Sequence, residues 1–138
     1  MSFTSGIALA LAAVLSASSG STVVTQPVPQ AQTVQQYVET YFADEPVMIE
    51  IARCESQFTQ TKKDGSIVTN PKSSAIGIFQ IMSSIHSSFA DKKLGIDIYT
   101  IQGNAAYAQY LYDKQGTVPW NASKSCWGKT DAALALAK

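Results

Sequence analysis

The sequence predicts a small, mainly α-helical domain with one short β-hairpin. Apolar residues recur at helical spacing in several capped segments, one Asp-Gly turn signal sits between β-prone runs, and a chain of 138 residues has room for a single domain. The first helix starts at Thr33. Thr33-x-x-Gln36 fits a capping box, and Val34, Tyr37, Val38, Tyr41 and Phe42 then form one apolar face. Asp44 and Glu45 end that helix. Pro46 opens the next, at a position where its missing N–H costs nothing, and Val47, Ile51, Cys54 and Phe58 form the buried stripe with Met48 and Ala52 beside it.

Between Thr59 and Asn70 the pattern changes. Asp64-Gly65, between TQTKK and SIVT, is read as a two-residue type I′ hairpin turn. Pro71 to Ser74 is a loop, and AIGIFQIM, from Ala75 to Met82, is a short apolar run holding one Gln. A third helix is expected over Ser84 to Lys93, stopped by Gly95. A fourth covers Thr100 to Gln115, with Ile101, Ala105, Ala108, Leu111 and Tyr112 on one face and Gly116 at its end. TVPWNASKSCW is read as a loop, and the tail DAALALAK as a short helix or a frayed end.

The charges divide the chain. Ten basic and ten acidic residues all lie from Glu39 onward. Ile7 to Leu15, IALALAAVL, is an apolar run too short to span a bilayer as a helix, and small residues follow it. Residues 1–20 are therefore read as a signal peptide or N-terminal anchor, although the only positive charge ahead of the run is the α-amino group; an Ala/Ser-rich disordered start is the alternative. STVVTQPVPQAQ makes 21–32 a disordered linker, leaving 33–138 as the folded domain.

Composition narrows the chemistry. Balanced charge provides no field to recruit nucleic acid, and neither phosphate-cradling glycine motif occurs. One His and two Cys cannot build a four-ligand zinc site of the His/Cys kind. No cofactor and no metal are expected.

Cys54 and Cys126 have only each other as partners. In an oxidising compartment they pair; in the cytosol they stay as two buried thiols. A bridge would tie the Trp-containing C-terminal segment to the residue beside Glu55. Glu55 falls in the last turn of the second helix, where the helix dipole and the apolar neighbours Ile51 and Ala52 both favour the protonated carboxyl. Such a group serves as a general acid. The alternatives are a solvated surface Glu or a partner for Arg53.

The segment from Ile51 to Phe58, IARCESQF, resembles the catalytic Glu-Ser segment of the lysozyme-like soluble lytic transglycosylases. Ser74 to Met82 is similar to that family's Gly-x-x-Gln-Ile-Met segment. Trp120-Asn121-Ala122-Ser123 stands where the family has Tyr-Asn-Ala-Gly, with Trp for Tyr and Ser for Gly, and Asn104 to Tyr112 resembles the helix before it. The order and spacing agree over about Val47 to Trp127.

The resemblance implies a lysozyme-like α+β fold whose hairpin flanks an active-site cleft. It also implies a secreted, periplasmic or envelope-associated enzyme that acts on peptidoglycan glycan strands as a monomer, without nucleic acid, a stable membrane span or a cofactor. Glu55 would protonate the glycosidic oxygen between N-acetylmuramic acid and N-acetylglucosamine and then act as base. Ser56 would bond near the muramic substituents, Gln80 would hold an N-acetyl group, and Trp120 and Asn121 would complete the wall. Ser56 as a helix-end cap, and Gln80 bonded to backbone, are the structural alternatives. Tyr107, Tyr110 and Tyr112 are read as core, His86 as surface or capping, and Lys62-Lys63 and Lys92-Lys93 as solvated. Most glycosidases use two carboxylates; with one, the substrate's N-acetyl carbonyl attacks the anomeric carbon and a 1,6-anhydro ring closes. A lysozyme-type hydrolase using Asp64, and a non-catalytic glycan-binding module, are the alternative readings.

Overall fold

The structure, a computed structural model, describes residues 31–137. The expectations for 1–20 and most of 21–32 lie outside the described residues. The described chain is mainly helical with a two-stranded antiparallel hairpin, as the sequence predicts. No helix among the described residues is long and apolar enough to cross a membrane.

Helix α1 spans Val34–Tyr41 and begins with the predicted capping box, Thr33 and Gln36 each satisfying the other's backbone N–H. Val38 and Phe42 carry its buried face. Helix α2 spans Pro46–Ser56 with Pro46 in its first turn, and buries Val47, Met48, Ile51 and Ala52. Cys54 and Phe58 only flank this core.

The hairpin does not sit where the Asp-Gly signal placed it. Strands β1 (Ala75–Ile76) and β2 (Ile81–Met82) pair within the apolar run, in the register Ala75 to Met82 and Ile76 to Ile81. The segment around Asp64-Gly65 contributes only isolated bridges, Thr61 to Ile67 and Thr69 to Ile76. Its turn is also different from the type I′ expected. The Gly65 N–H donates to the Lys62 carbonyl and the Lys62 N–H to the Ser66 carbonyl, with φ +84° at Gly65 and no positive φ at Asp64. This is a three-residue loop with a glycine bulge. The cause is local: the Asp64 carboxylate accepts from the Ser66 N–H at 2.9 Å and the Ser66 hydroxyl at 2.6 Å, which holds Asp64 in an Asx turn.

Helix α3 spans Ser83–Phe89 and widens into a π-helical turn over Ala90–Leu94, which Gly95 ends with φ +66°. Helix α4 spans Ile101–Gln115 behind the Thr100 cap. The segment expected to be a loop is helical: a 3₁₀ stretch over Val118–Ser123, then α5 over Lys124–Trp127. Its two tryptophans explain the difference, since Trp120 and Trp127 are each 3% exposed and their burial overrides the weak local propensity. Helix α6 spans Asp131–Ala135.

The four-residue connection of the hairpin, Gly77 to Gln80, passes through the core. Ile78 and Phe79 are fully buried, and Phe79 packs edge-on between Phe42 and Trp120. Buried loop backbone needs partners, and side chains supply them. The Ile78 N–H donates to Gln60 Oε1 at 3.0 Å and the Phe79 N–H to Asn104 Oδ1 at 2.9 Å. The Ile78 carbonyl accepts from the Ser56 hydroxyl at 2.8 Å and the Phe79 carbonyl from Trp120 Nε1 at 2.9 Å. Gln60 and Asn104 are 2% and 0% exposed, and their amide nitrogens reach further carbonyls at Tyr99, Thr100, Ile76 and Ile98.

Gly77 is required here for two reasons: its φ is +71°, and a Cβ would lie 2.5 Å from both the Asn104 and the Gln60 amide. A left-handed non-glycine costs about 1 kcal/mol, and each buried polar group left unpaired costs about 1–3 kcal/mol. Gly77→Ala should lower the unfolding free energy by about 3 kcal/mol or more in urea denaturation; a loss under about 1 kcal/mol would show that the two amides are not holding the loop.

Candidate active site

Helix α2 ends at a tight reversal. Gln57 and Phe58 take consecutive left-handed conformations, with φ of 52° and 59°. Two non-glycine residues in that region store strain, and Ser56 holds them there. Its hydroxyl accepts from the Thr59 N–H at 3.1 Å while donating to the Ile78 carbonyl. Ser56 therefore does the capping work and also hooks α2 onto the hairpin loop.

Glu55 precedes this reversal and is half-buried. Burial raises its carboxyl above the usual carboxylate range, and one hydrogen bond, from Ser123 Oγ to Oε1 at 2.5 Å, works in the opposite direction. Among the described residues no neighbouring charge contributes to the shift. Arg53 does not pair with it: the guanidinium forks onto Glu50 Oε2, at 2.9 Å through Nε and 2.7 Å through Nη2.

The C-terminal helical turn is attached to α2 by two parallel links. Cys54 and Cys126 form a disulfide, with Cα atoms 6.0 Å apart and a sequence separation of 72. One residue along α2 and three residues back along the C-terminal turn, Glu55 meets Ser123. The bridge contributes about 4 kcal/mol in the chain-entropy account. Trp127 Nε1 completes the cluster, lying 3.1 Å from both Ser123 Oγ and the Trp120 carbonyl.

A groove of about 190 Å³ lies beside this cluster, lined in part by Gln80, Met82, His86, Leu111, Pro119 and Trp120. Gln80 has φ 49°, and its Nε2 donates to the Gly77 carbonyl at 3.0 Å while Oε1 has no partner among the described residues. Trp120 is 3% exposed and belongs to the core, although it also lines the groove. Asn121 is exposed, and neither it nor Glu55 lines this groove. His86 is half-buried with Nδ1 2.9 Å from the Tyr107 hydroxyl, and burial pulls its pKa down. Tyr107 is core, as expected. Among the described residues no cluster of three or more His, Cys, Asp or Glu could hold a metal ion.

The sequence-predicted residues Cys54, Glu55, Ser56 and Cys126 thus gather at one junction, with Gln80 and Trp120 along the adjoining groove. Ser123 was visible in the sequence only as a departure from a motif. The signal that would have found it is its spacing: three residues before Cys126, one helical turn, faces it to the residue beside Cys54 once the bridge forms. No protein family, curated protein or solved structure matches the chain.

The raised carboxyl makes stability depend on pH. Because folding favours the protonated form of Glu55, its contribution is fully present below the unfolded carboxyl pKa of about 4.3 and is lost as pH rises through the higher folded value. Glu55→Gln removes that loss. The substitution should leave stability nearly unchanged at about pH 3 and make the protein more stable than wild type at about pH 8, by denaturant unfolding at each pH. If wild type instead gains stability relative to Glu55→Gln as pH rises, the carboxylate is the form that folding favours.

Proposed function

We propose that the domain is a peptidoglycan lytic transglycosylase that cleaves the β-1,4 bond between N-acetylmuramic acid and N-acetylglucosamine, with Glu55 as general acid and then general base. The observation that carries this reading is the setting of Glu55: a carboxyl held toward its protonated form by burial, with no charged neighbour shifting it and Arg53 diverted to Glu50. A general acid near neutral pH needs such a setting.

The catalytic cycle then needs one protein carboxyl. Glu55 protonates the glycosidic oxygen as the bond to the anomeric carbon breaks, and the muramic N-acetyl carbonyl closes onto that carbon. The Glu55 carboxylate next removes the proton of the muramic 6-hydroxyl, which displaces the acetamido oxygen and forms the 1,6-anhydro ring. No water is consumed. Gln80 presents its unpartnered Oε1 to an N-acetyl N–H of the glycan. The disulfide supports an extracytoplasmic setting, secreted, periplasmic or envelope-associated.

Asp64 is the carboxylate that a lysozyme-type hydrolysis would use to activate water. It is exposed, and the Ser66 hydroxyl and N–H hold its pKa down, which gives it a full occupation in shaping its own turn.

Glu55→Gln should abolish glycan cleavage with the fold kept; more than about a tenth of the wild-type rate would remove Glu55 from the acid role. Mass analysis of products from purified glycan strands should find ends one water lighter than hydrolysis products, and Asp64→Asn should retain most activity because Asn forms the same turn. Reducing-end muramic acid together with an inactive Asp64→Asn would replace this reading with hydrolysis. Binding without turnover by the wild type would replace it with a glycan-binding module.

A further inference from the structure

We propose that Ser123 is a positioning residue whose hydroxyl alternates between two acceptors, the Glu55 carboxylate and the Trp120 carbonyl, and supplies the hydrogen bond that Glu55 needs when its proton leaves. The catalytic half of this inference rests on the transglycosylase reading; the hydrogen-bond half does not.

The donor count leads to the alternation. The Trp127 indole N–H can only donate, and it lies 3.1 Å from both Ser123 Oγ and the Trp120 carbonyl. Ser123 has one hydroxyl hydrogen and two acceptors within reach, Glu55 Oε1 at 2.5 Å and the Trp120 carbonyl at 3.1 Å. The shorter distance is that of a charge-assisted O–H to carboxylate bond. When Glu55 is ionised, the hydroxyl hydrogen lies on Oε1. When Oε1 itself is protonated, it donates to Ser123 Oγ and the serine hydrogen turns to the Trp120 carbonyl; the proton given to a glycosidic oxygen is the one carried on Oε2, with the Ser123 hydrogen on Oε1. Both protonation states are then satisfied without moving a heavy atom.

Proton donation to the glycosidic oxygen leaves a carboxylate in a half-buried position, and among the described residues no cation pairs with it. The titratable and charged groups on the elements packed against α2 are Tyr37, Glu39 and Tyr41 on α1, Glu50 and Arg53 on α2 itself, Lys124 on α5 and Asp131 on α6; none of them shifts Glu55. The Ser123 hydroxyl is the one hydrogen-bond donor to Glu55 among the described residues. It is held in place by the Trp127 N–H and by the Cys126 bridge one helical turn away, so its bond to the new carboxylate requires no reorganisation.

The test uses the full chain with Ser123→Ala and Ser123→Thr. Carbon NMR of the Glu55 side-chain carboxyl should titrate at higher pH in Ser123→Ala than in wild type, and Ser123→Thr, which keeps the hydroxyl, should return the midpoint toward wild type. On purified glycan strands, Ser123→Ala should lose about tenfold or more in kcat with KM unchanged, its basic limb moving to higher pH, and Ser123→Thr should recover both. A Ser123→Ala midpoint at or below that of wild type overturns the inference. So do equal kcat losses in the two variants with unmoved pH profiles, which would make Ser123 a packing residue. If wild type cleaves no glycan, the transglycosylase reading fails, and the carboxyl titration alone decides the role of Ser123.

Discussion

The architecture depends on the need to satisfy the backbone of a loop that runs through the core. Gly77 to Gln80 carries N–H and C=O groups into the buried core, and the fold answers with Gln60, Asn104, Ser56 and Trp120. Those four side chains come from the segment after α2, from α4, from the end of α2 and from the 3₁₀ stretch. One buried loop therefore ties together α2, the segment after it, α4 and the 3₁₀ stretch, and the disulfide adds α5. Phe42, Phe79 and Trp120 pack edge to face around the loop, but hydrogen-bond direction is what makes the arrangement specific.

Much of this was legible in the sequence, for reasons that differ by element. The cap at Thr33, the proline opening α2 and the glycines at 95 and 116 act locally, so their positions could be read from neighbours alone. The junction of Cys54, Glu55 and Cys126 could be reached from cysteine count and helix position. The misplaced hairpin shows the opposite case. Asp64-Gly65 is a strong turn signal, but a neighbouring serine captured the aspartate and the segment stayed at isolated bridges. The actual strands lie in AIGIFQIM, whose continuous hydrophobicity conceals the period of two: Ala75, Ile76 and Ile81 are buried, and exposed Met82 is apolar as well.

Gln60, Asn104 and Ser123 escaped the reading because polar residues are ordinarily solvated, and nothing in a linear pattern separates a buried amide from a surface one. Asn104 even sits on a helix whose predicted face includes the buried Ala105, Ala108 and Leu111. Its burial becomes apparent only when the loop that needs its oxygen and nitrogen is brought beside it. The helical form of residues 118–127 was hidden for a related reason: its local propensity is weak, and the buried tryptophans and the bridge decide it from a distance.

The pairing of Glu55 with a residue far along the chain has a consequence for timing. During synthesis α2 emerges early, yet Ser123, Cys126 and Trp127 come at least 68 residues after Glu55. Until that stretch has been made, packed and oxidised, the carboxyl has neither its hydrogen-bond donor nor its covalent brace. On the proposed function, a chain that has not yet been made as far as residue 126 lacks both contacts that set Glu55 in place.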